Sequence, residues 1–358
     1  MNKKYKVGLI GLGGIAKGSH MPAYQRMDNV ELAAICDIQP HKIEIFKEKF
    51  SISDDVPAFT DYHDLFEVEG LDYVDICTPN YLHSIIAVEA LKKGLHVFTE
   101  KPDAVSVAEV TRMKDAAEES GKTLMAMRNN RHRATAKYLK KYIEDGKMGD
   151  IYCGRCGWIR RRGIPGKGGW FTTKEQSGGG PLIDLGVHKI DLAIWLMGNP
   201  TPVADTGCTY TKFADNEVAD SVHSAFGDKK ADGIFDVEDL AMGFIRFDNG
   251  ACMQIEFSWA SNIGKEENFV ELRGTKSGAK ISNRGGLEIF SEEYGQLTDL
   301  IPKADDEKGI PQHEANLRHF LDVLGGAEPD FVPVQGVNMI KILEAMYKSA
   351  ELGHEIQL

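Results

Sequence analysis

Asp184 and His188 stand four residues apart, a spacing that puts two side chains on one face of a helix. An imidazole titrates at about 6.5 and can take a proton from a hydroxyl near neutrality, and a carboxylate one turn away can orient it or touch the same substrate. Asp191, three residues further on, is a second candidate partner for the histidine. Spacing alone does not separate this pair from a core histidine beside a helix-capping aspartate. Lys101 is the other group with chemistry in it. It stands between Glu100 and Pro102, and the proline disfavours helical dihedrals at the lysine and holds its backbone extended. An ammonium held this way can donate to a substrate oxygen and stabilise the alkoxide-like charge that accompanies hydride transfer. No histidine and carboxylate cluster has convincing metal-ligand spacing, so no metal is expected.

These groups need elements that bring them to an edge, and residues 5 to 37 supply the first. The apolar run Val7-Gly-Leu-Ile10 reads as a strand entering the turn Gly11-Leu-Gly-Gly-Ile-Ala16. Gly11 permits the tight turn, Gly13 allows close approach of a pyrophosphate, Gly14 and Ile15 open the following helix, and Ala16 leaves room for that helix on the strand. Unpaired N–H groups at a helix N-terminus favour an anion there. Glu31 to Cys36 reads as a second strand that delivers Asp37 to a ribose 2′-hydroxyl, roughly 20 residues beyond the glycines. A carboxylate accepts a free hydroxyl and repels a 2′-phosphate, which favours NAD over NADP, although His41 and Lys42 are near enough to weaken the repulsion. Later strands at 73–77, 96–99 and 123–127 alternate with helices at 82–93 and 106–120, as a parallel sheet requires. Their ends carry Thr78, Asn80, His83, Glu100 and Lys101 to the edge where the glycine turn lies, and a contact to the cofactor is as good a reading for Asn80 and His83 as a turn or cap role.

Beyond Arg128 the rhythm changes. A helix at 135–144, a strand-like run at 152–162, an irregular glycine-rich span at 163–180 and a helix at 181–197 precede strand-like runs at 203–213, 238–247, 250–259, 268–273 and 278–290. From Met253 to Trp259 the odd positions are apolar and the even ones polar, which covers one face of a strand and leaves the other available. The expectation is an α/β protein: a Rossmann domain over 1–127, then an α/β domain over 128–358 with a large, mostly antiparallel open sheet. Helices near 313 and at 337–352 close the chain, the last of them free to pack back near the first domain. Two domains also suit a length of 358 residues.

A net charge of -12 argues against a broad nucleic-acid surface, and no apolar run of 18 residues suggests a membrane span. Six dispersed cysteines and no apolar targeting core point to a reducing, cytoplasmic setting. Arg160 and Arg161, Arg128 at the domain junction and Trp170 in the glycine-rich span are candidate substrate contacts. Each is also readable as a solvated or loop-anchoring side chain.

Gly11-Leu-Gly-Gly-Ile-Ala16, Glu100-Lys-Pro102 and Gly180-Pro-Leu-Ile-Asp-Leu-Gly-Val-His-Lys-Ile-Asp191 together resemble the three signatures of the glucose-fructose oxidoreductase, inositol dehydrogenase and rhizopine-catabolism (Gfo/Idh/MocA) family. The resemblance spans nearly the whole chain. It implies a Rossmann domain followed by an open-sheet α/β domain, NAD or NADP as cofactor, and a sugar or polyol substrate. By that resemblance Lys101, Asp184 and His188 match the family's catalytic residues, and a homodimer or homotetramer is expected. The leading reading is an NAD-dependent dehydrogenase of a secondary alcohol. A redox-neutral epimerase, eliminase or glycoside-cleaving enzyme that recycles NAD is an alternative, and so is a non-catalytic nucleotide sensor.

Overall fold

The computed structural model describes residues 3–215, 227, 229–282, 286–304 and 309–358. Its contacts divide the chain into two compact units, Met1–Met127 with Ile310–Val337, and Arg128–Gly309 with Asn338–Leu358. The second domain expected over 128–358 is therefore not contiguous. Ile310–Val337 joins the first unit because Leu317, Phe320, Leu321 and Phe331 complete an apolar cluster with Tyr5, Tyr73, Phe98 and Met125.

The first unit is built on six parallel strands: β1 (Tyr5–Ile10), β2 (Val30–Cys36), β3 (Ala58–Phe59), β4 (Tyr73–Ile76), β5 (His96–Thr99) and β6 (Leu124–Ala126). Their order is β3-β2-β1-β4-β5-β6, so the sheet grows one way from β1 and the other way from β4. Every residue of β4 is buried, as expected of a parallel strand covered on both faces. Helices Pro40–Phe50, His83–Lys92 and Val107–Ser120 serve the crossovers. Ser106 starts the last of these, its Oγ accepting the N–H of Glu109 at 3.3 Å. The glycine turn is not followed by one regular helix. A π turn, Ala16–His20, leads into the short helix Met21–Tyr24, where Pro22 has no N–H to continue the ladder.

The second unit carries nine strands: β7 (Ile151–Ile159), β8 (Pro202–Tyr210), β9 (Leu240–Phe247), β10 (Cys252–Ser258), β11 (Glu267–Gly274), β12 (Gly278–Ile281), β13 (Leu287–Glu293), β14 (Gln296–Leu300) and β15 (Ile356–Gln357). They lie in the order β14-β13-β12-β11-β7-β10-β9-β8-β15. Of the pairings, β7 with β10 is parallel and the others are antiparallel. The run expected at 278–290 is two strands, β12 and β13, with 283–285 outside the described residues. The alternation in β10 is realised: Met253, Ile255 and Phe257 are buried and Gln254 is exposed. Helix Pro333–Leu352 seats its C-terminal part in this unit through Ser349, whose Oγ accepts from the Gly207 N–H at 2.9 Å and donates to the His354 carbonyl at 2.7 Å.

Asp205 is a polar anomaly in this sheet. It is paired with Ile245 of β9 and Ile356 of β15, is fully buried, and has no hydrogen-bond partner for either carboxylate oxygen among the described residues. Burial first, then the charge of Glu355, pushes its carboxyl up to about 8. The folded chain thus holds a proton at Asp205 that the unfolded chain releases near the ordinary carboxylate value. Stability is lost as pH rises from the unfolded value towards the folded one. Asp205→Asn removes that dependence, so the variant should gain on the parent steadily between about pH 5 and about pH 8 in urea unfolding. A stability difference that does not change with pH would contradict a protonated Asp205.

Candidate active site

The first unit gathers its candidate residues where the strand order reverses, the place at which an open α/β sheet binds ligands. Gly11 donates its N–H to the Cys36 carbonyl at 2.8 Å, and the Cys77 N–H reaches the Ile10 carbonyl at 2.7 Å, so the turn is gripped by the ends of β2 and β4. Gly11 has a φ of +91°, and a Cβ there would lie 2.7 Å from the Cys77 carbonyl; no side chain fits. At Gly13 and Gly14 the Cβ direction points into open space. Ile15 packs onto the apolar cluster of Leu9, Leu12 and Ile35. Asp37 leaves β2 and ties the turn down: Oδ2 accepts the Leu12 N–H and Oδ1 the Gln39 N–H, both at 2.9 Å. The next side chain, Ile38, is 80% exposed although apolar.

After β4, the Thr78 Oγ1 is shielded from solvent and makes no hydrogen bond among the described residues. Asn80 is buried at the head of a short 3₁₀ turn. His83 is not available as a cofactor contact: its ring nitrogens lie 2.7 Å from the Pro102 carbonyl and 2.9 Å from the Thr78 carbonyl, and the ring is fully buried. It binds the loop after β4 to the loop after β5. Burial also lowers its proton affinity, against the two carbonyls. Lys101 is half-buried, its peptide bond to Pro102 is cis, and its N–H donates to Oε2 of Glu100 at 3.1 Å.

In the second unit the segment from Gly179 to Ala193 is buried at every position but two, and those two are Asp184 and His188. Asp184 sits in a π turn, Leu182–Gly186, that runs into helix Val187–Leu196. Its Oδ2 accepts the indole N–H of buried Trp259 at 2.9 Å. Beside His188 lies Trp158 of β7, ring centroids 6.2 Å apart, with the Arg160 guanidinium 4.9 Å over the indole. Burial lowers the Arg160 value from that of ordinary arginine, and the charges of Asp184 and Glu266 oppose the shift.

The start of this segment is fixed by Glu238, whose carboxylate accepts the N–H groups of Gly180 at 2.9 Å and Leu182 at 3.1 Å and the hydroxyl of Tyr347 at 2.9 Å. The glycines are packing requirements here. A Cβ on Gly180 would overlap the Glu238 carbonyl oxygen, and one on Gly179 the Tyr347 hydroxyl.

Several expectations are corrected. Asp191 is not the partner of His188, because its carboxylate binds Arg131 at 2.9 and 2.6 Å and lies 3.0 Å from Nε of Arg128. Arg128 is for the same reason a buried ion-pair residue rather than a substrate contact. Arg161 has an exposed side chain, and its backbone N–H bonds Glu266 at 2.8 Å. Trp170 stacks on Phe171 with centroids 3.8 Å apart. Its span, irregular as expected, is tied by buried Thr172, which accepts the Gly168 N–H at 2.9 Å and donates to the Ile234 carbonyl at 2.8 Å. Sequence reasoning missed Trp158, Glu238 and Tyr347, and the alternation of β7 could have placed Trp158 on the face of His188.

Comparison with known proteins gives the chain its relatives. Residues 5–127 match the model of an oxidoreductase family with an NAD-binding Rossmann fold, and residues 136–280 match the GFO/IDH/MocA C-terminal domain. The D-glucoside 3-dehydrogenase of Escherichia coli K12 is 31% identical over 99% of this chain and 97% of its own. The myo-inositol 2-dehydrogenase of Thermotoga maritima is 26% identical over 99% and 98%. Among solved structures, the aldose-aldose oxidoreductase of Caulobacter crescentus, complexed with glycerol, superposes with a TM-score of 0.81 at 25% identity, covering 99% of this chain and 100% of that one.

The residues present fit a dinucleotide: open Cβ directions at Gly13 and Gly14, an orphaned hydroxyl at Thr78, and a carboxylate at Asp37 with lone pairs to spare. The glycines should therefore separate by role. Gly13→Ala should leave the melting temperature within about 2 °C and weaken NAD at least about tenfold, whereas Gly180→Ala should destabilise the chain by about 2 kcal/mol or more. Calorimetric titration and thermal melts of both variants check this. NAD affinity unchanged in Gly13→Ala would remove the pyrophosphate from that turn.

Proposed function

The chain belongs to the GFO/IDH/MocA oxidoreductase family, and from that premise we propose that it oxidises a ring secondary alcohol of a sugar, glycoside or polyol, with NAD as its cofactor. The observation that carries the reading is the solvent window at Asp184 and His188 in an otherwise buried segment. Burying a histidine for packing would not leave this pair alone at the surface.

NAD, when bound, supplies the hydride acceptor, and Gly11 to Ile15, Asp37 and Thr78 are the residues that would hold it. His188 takes the hydroxyl proton on a ring nitrogen as the alcohol is oxidised. Asp184, fixed by the Trp259 indole, orients that ring or the substrate hydroxyl. Lys101 is the residue of the first unit suited to donate to a substrate oxygen and stabilise negative charge on it. Reduction reverses these roles. Arg160 beside Trp158 gives the His188 wall a donor suited to a hydroxyl-rich ring, and the similarity to a D-glucoside 3-dehydrogenase favours a glycoside. Asp37 selects NAD over NADP by accepting the ribose hydroxyl.

On the sheet face away from the helices, Arg246 lies over Phe244, while Arg155 and Lys280 lie over Phe269. Aromatic rings under cations suit a polar contact between copies of this chain, and a homodimer or homotetramer is the assembly we favour. The six cysteines are free, which supports a reducing, cytoplasmic setting, and no described helix is long and apolar enough to cross a membrane.

The direct experiment is a screen of glycosides, aldoses, inositols and sugar acids with NAD, following both NADH absorbance and product mass. NADH should form with a ring alcohol; mass conversion without NADH would replace the dehydrogenase by redox-neutral chemistry. On the substrate found, His188→Asn should lower kcat at least about a hundredfold with NAD affinity held within about threefold. Near-normal turnover in that variant would remove His188 as the base. Asp37→Ser should shrink the NAD over NADP preference, and a parent chain that binds NADP more tightly would overturn the role given to Asp37.

A further inference from the structure

His20 is wholly buried at the end of the π turn, and each of its ring nitrogens meets a carboxylate. Nδ1 lies 2.7 Å from Oδ2 of Asp75 and Nε2 lies 2.8 Å from Oε1 of Glu100. A neutral imidazole carries one N–H, so its bare nitrogen would face a carboxylate oxygen lone pair to lone pair. Two N–H donors satisfy both contacts. We propose that His20 is a standing imidazolium and a positioning residue, which ties the glycine-turn helix to β4 and to the loop after β5 and so fixes Glu100 and the backbone of Lys101.

The role in turnover rests on Lys101 as the lysine of the proposed reaction; the charge state of His20 does not. Glu100 is the link between them, since its other oxygen accepts the Lys101 N–H at 3.1 Å. Burial alone would raise the Glu100 carboxyl, but the hydrogen bond and charge of His20, with His313 and Lys101, carry it down to about 2. Burial alone would likewise lower His20, and the charge of Asp75 foremost carries it well above the ordinary imidazole value.

Every element packed around the ring contributes to this balance. Tyr24, from the helix that follows the π turn, donates its hydroxyl to Oδ2 of Asp75 at 2.7 Å, and Tyr73 of β4 lies beside it; burial raises both phenols. Cys77, after β4, has its thiol 3.8 Å from Oδ1 of Asp75 and pushed up by burial to about 12, so it keeps its proton. His313, from helix Gln312–Leu324, has its ring 6.4 Å from that of His20, and burial takes it down to about 4. One histidine of this pair is therefore charged and the other neutral. Removing His20 leaves two buried carboxylates without their cation, and a carboxylate in that position recovers neutrality by taking up a proton. Glu100 would then titrate in the working range, next to Lys101.

His20, Asp75 and Cys77 also offer ligand atoms within 4.8 Å of one another, a set that a metal ion could use. The 2.7 Å between Nδ1 and Oδ2 of Asp75 is a hydrogen-bond distance, closer than two ligands of one tetrahedral ion lie to each other, and favours the proton over the ion.

The full-length protein with nitrogen-15 in its histidine rings provides the test by magnetic resonance. One histidine should keep both ring nitrogens protonated from about pH 6 to about pH 9, and its signals should vanish in His20→Asn. In Glu100→Gln, which keeps the shape and removes one charge, the same ring should deprotonate at lower pH than in the parent, so the assignment does not depend on the folding of His20→Asn. A neutral His20 near pH 7, or stoichiometric zinc in the isolated protein, would overturn the proposal. In turnover, His20→Asn should lower kcat at least about tenfold with NAD affinity within about threefold, and the acid limb of the pH profile, set in the parent by His188, should move to higher pH as Glu100 takes up a proton in the working range. An unmoved acid limb with parental kcat would end the positioning role. A chain that turns over no sugar or polyol would defeat the proposed reaction, while the ring nitrogens would still decide the charge of His20.

Discussion

A single buried carboxylate, that of Glu238, sets where the segment carrying Asp184 and His188 begins. It closes the N-terminal end of the segment that carries Asp184 and His188, taking two backbone N–H groups that begin the π turn and the hydroxyl of Tyr347. Backbone donors at such an end have no partner within the helix and must find one elsewhere. Burial raises the Glu238 carboxyl, and the hydrogen bonds of Gly180 and Leu182 act against that. Gly179 and Gly180 follow from this closeness, since a side chain at Gly180 would displace the backbone of Glu238 and one at Gly179 the Tyr347 hydroxyl.

Similar economy governs the ion pairs. Asp191 lies one turn beyond His188, yet Arg131 and Arg128 occupy it completely enough that it serves the fold. Breaking such a buried pair by removing one partner typically costs about 3–5 kcal/mol, which makes these arginines poor candidates for a mobile role with substrate. Arg160 differs: it is held by one carbonyl, that of Gly163 at 3.2 Å, and lies on the wall that carries His188.

What could be read in the sequence was what is local. The glycine turn and the alternation of β10 each lie within a few residues of chain, and periodicity or steric need fixes them. The β-rich runs at 73–77 and 96–99 became β4 and β5 for the same reason. What was not legible depends on separation. Glu238 reaches Gly180 across 58 residues and Glu100 reaches His20 across 80, and nothing at either end announces the other. His83 read equally as a cofactor contact and as a turn or cap group, and neither reading announced the two carbonyls from separate loops that converge on it. Ile310–Val337 had the pattern of an ordinary amphipathic helix and gave no sign of which core would take it.

That last arrangement bears on how the chain is made. The cluster formed by Tyr5, Tyr73, Phe98 and Met125 is closed by Leu317, Phe320 and Phe331, which a ribosome adds some 200 residues after Met127. At about 5–20 residues per second the delay is roughly 10–40 s. For that time the nascent dinucleotide-binding sheet carries an uncovered aromatic surface, the kind of surface that chaperones recognise and that stalled or truncated chains would leave exposed for good.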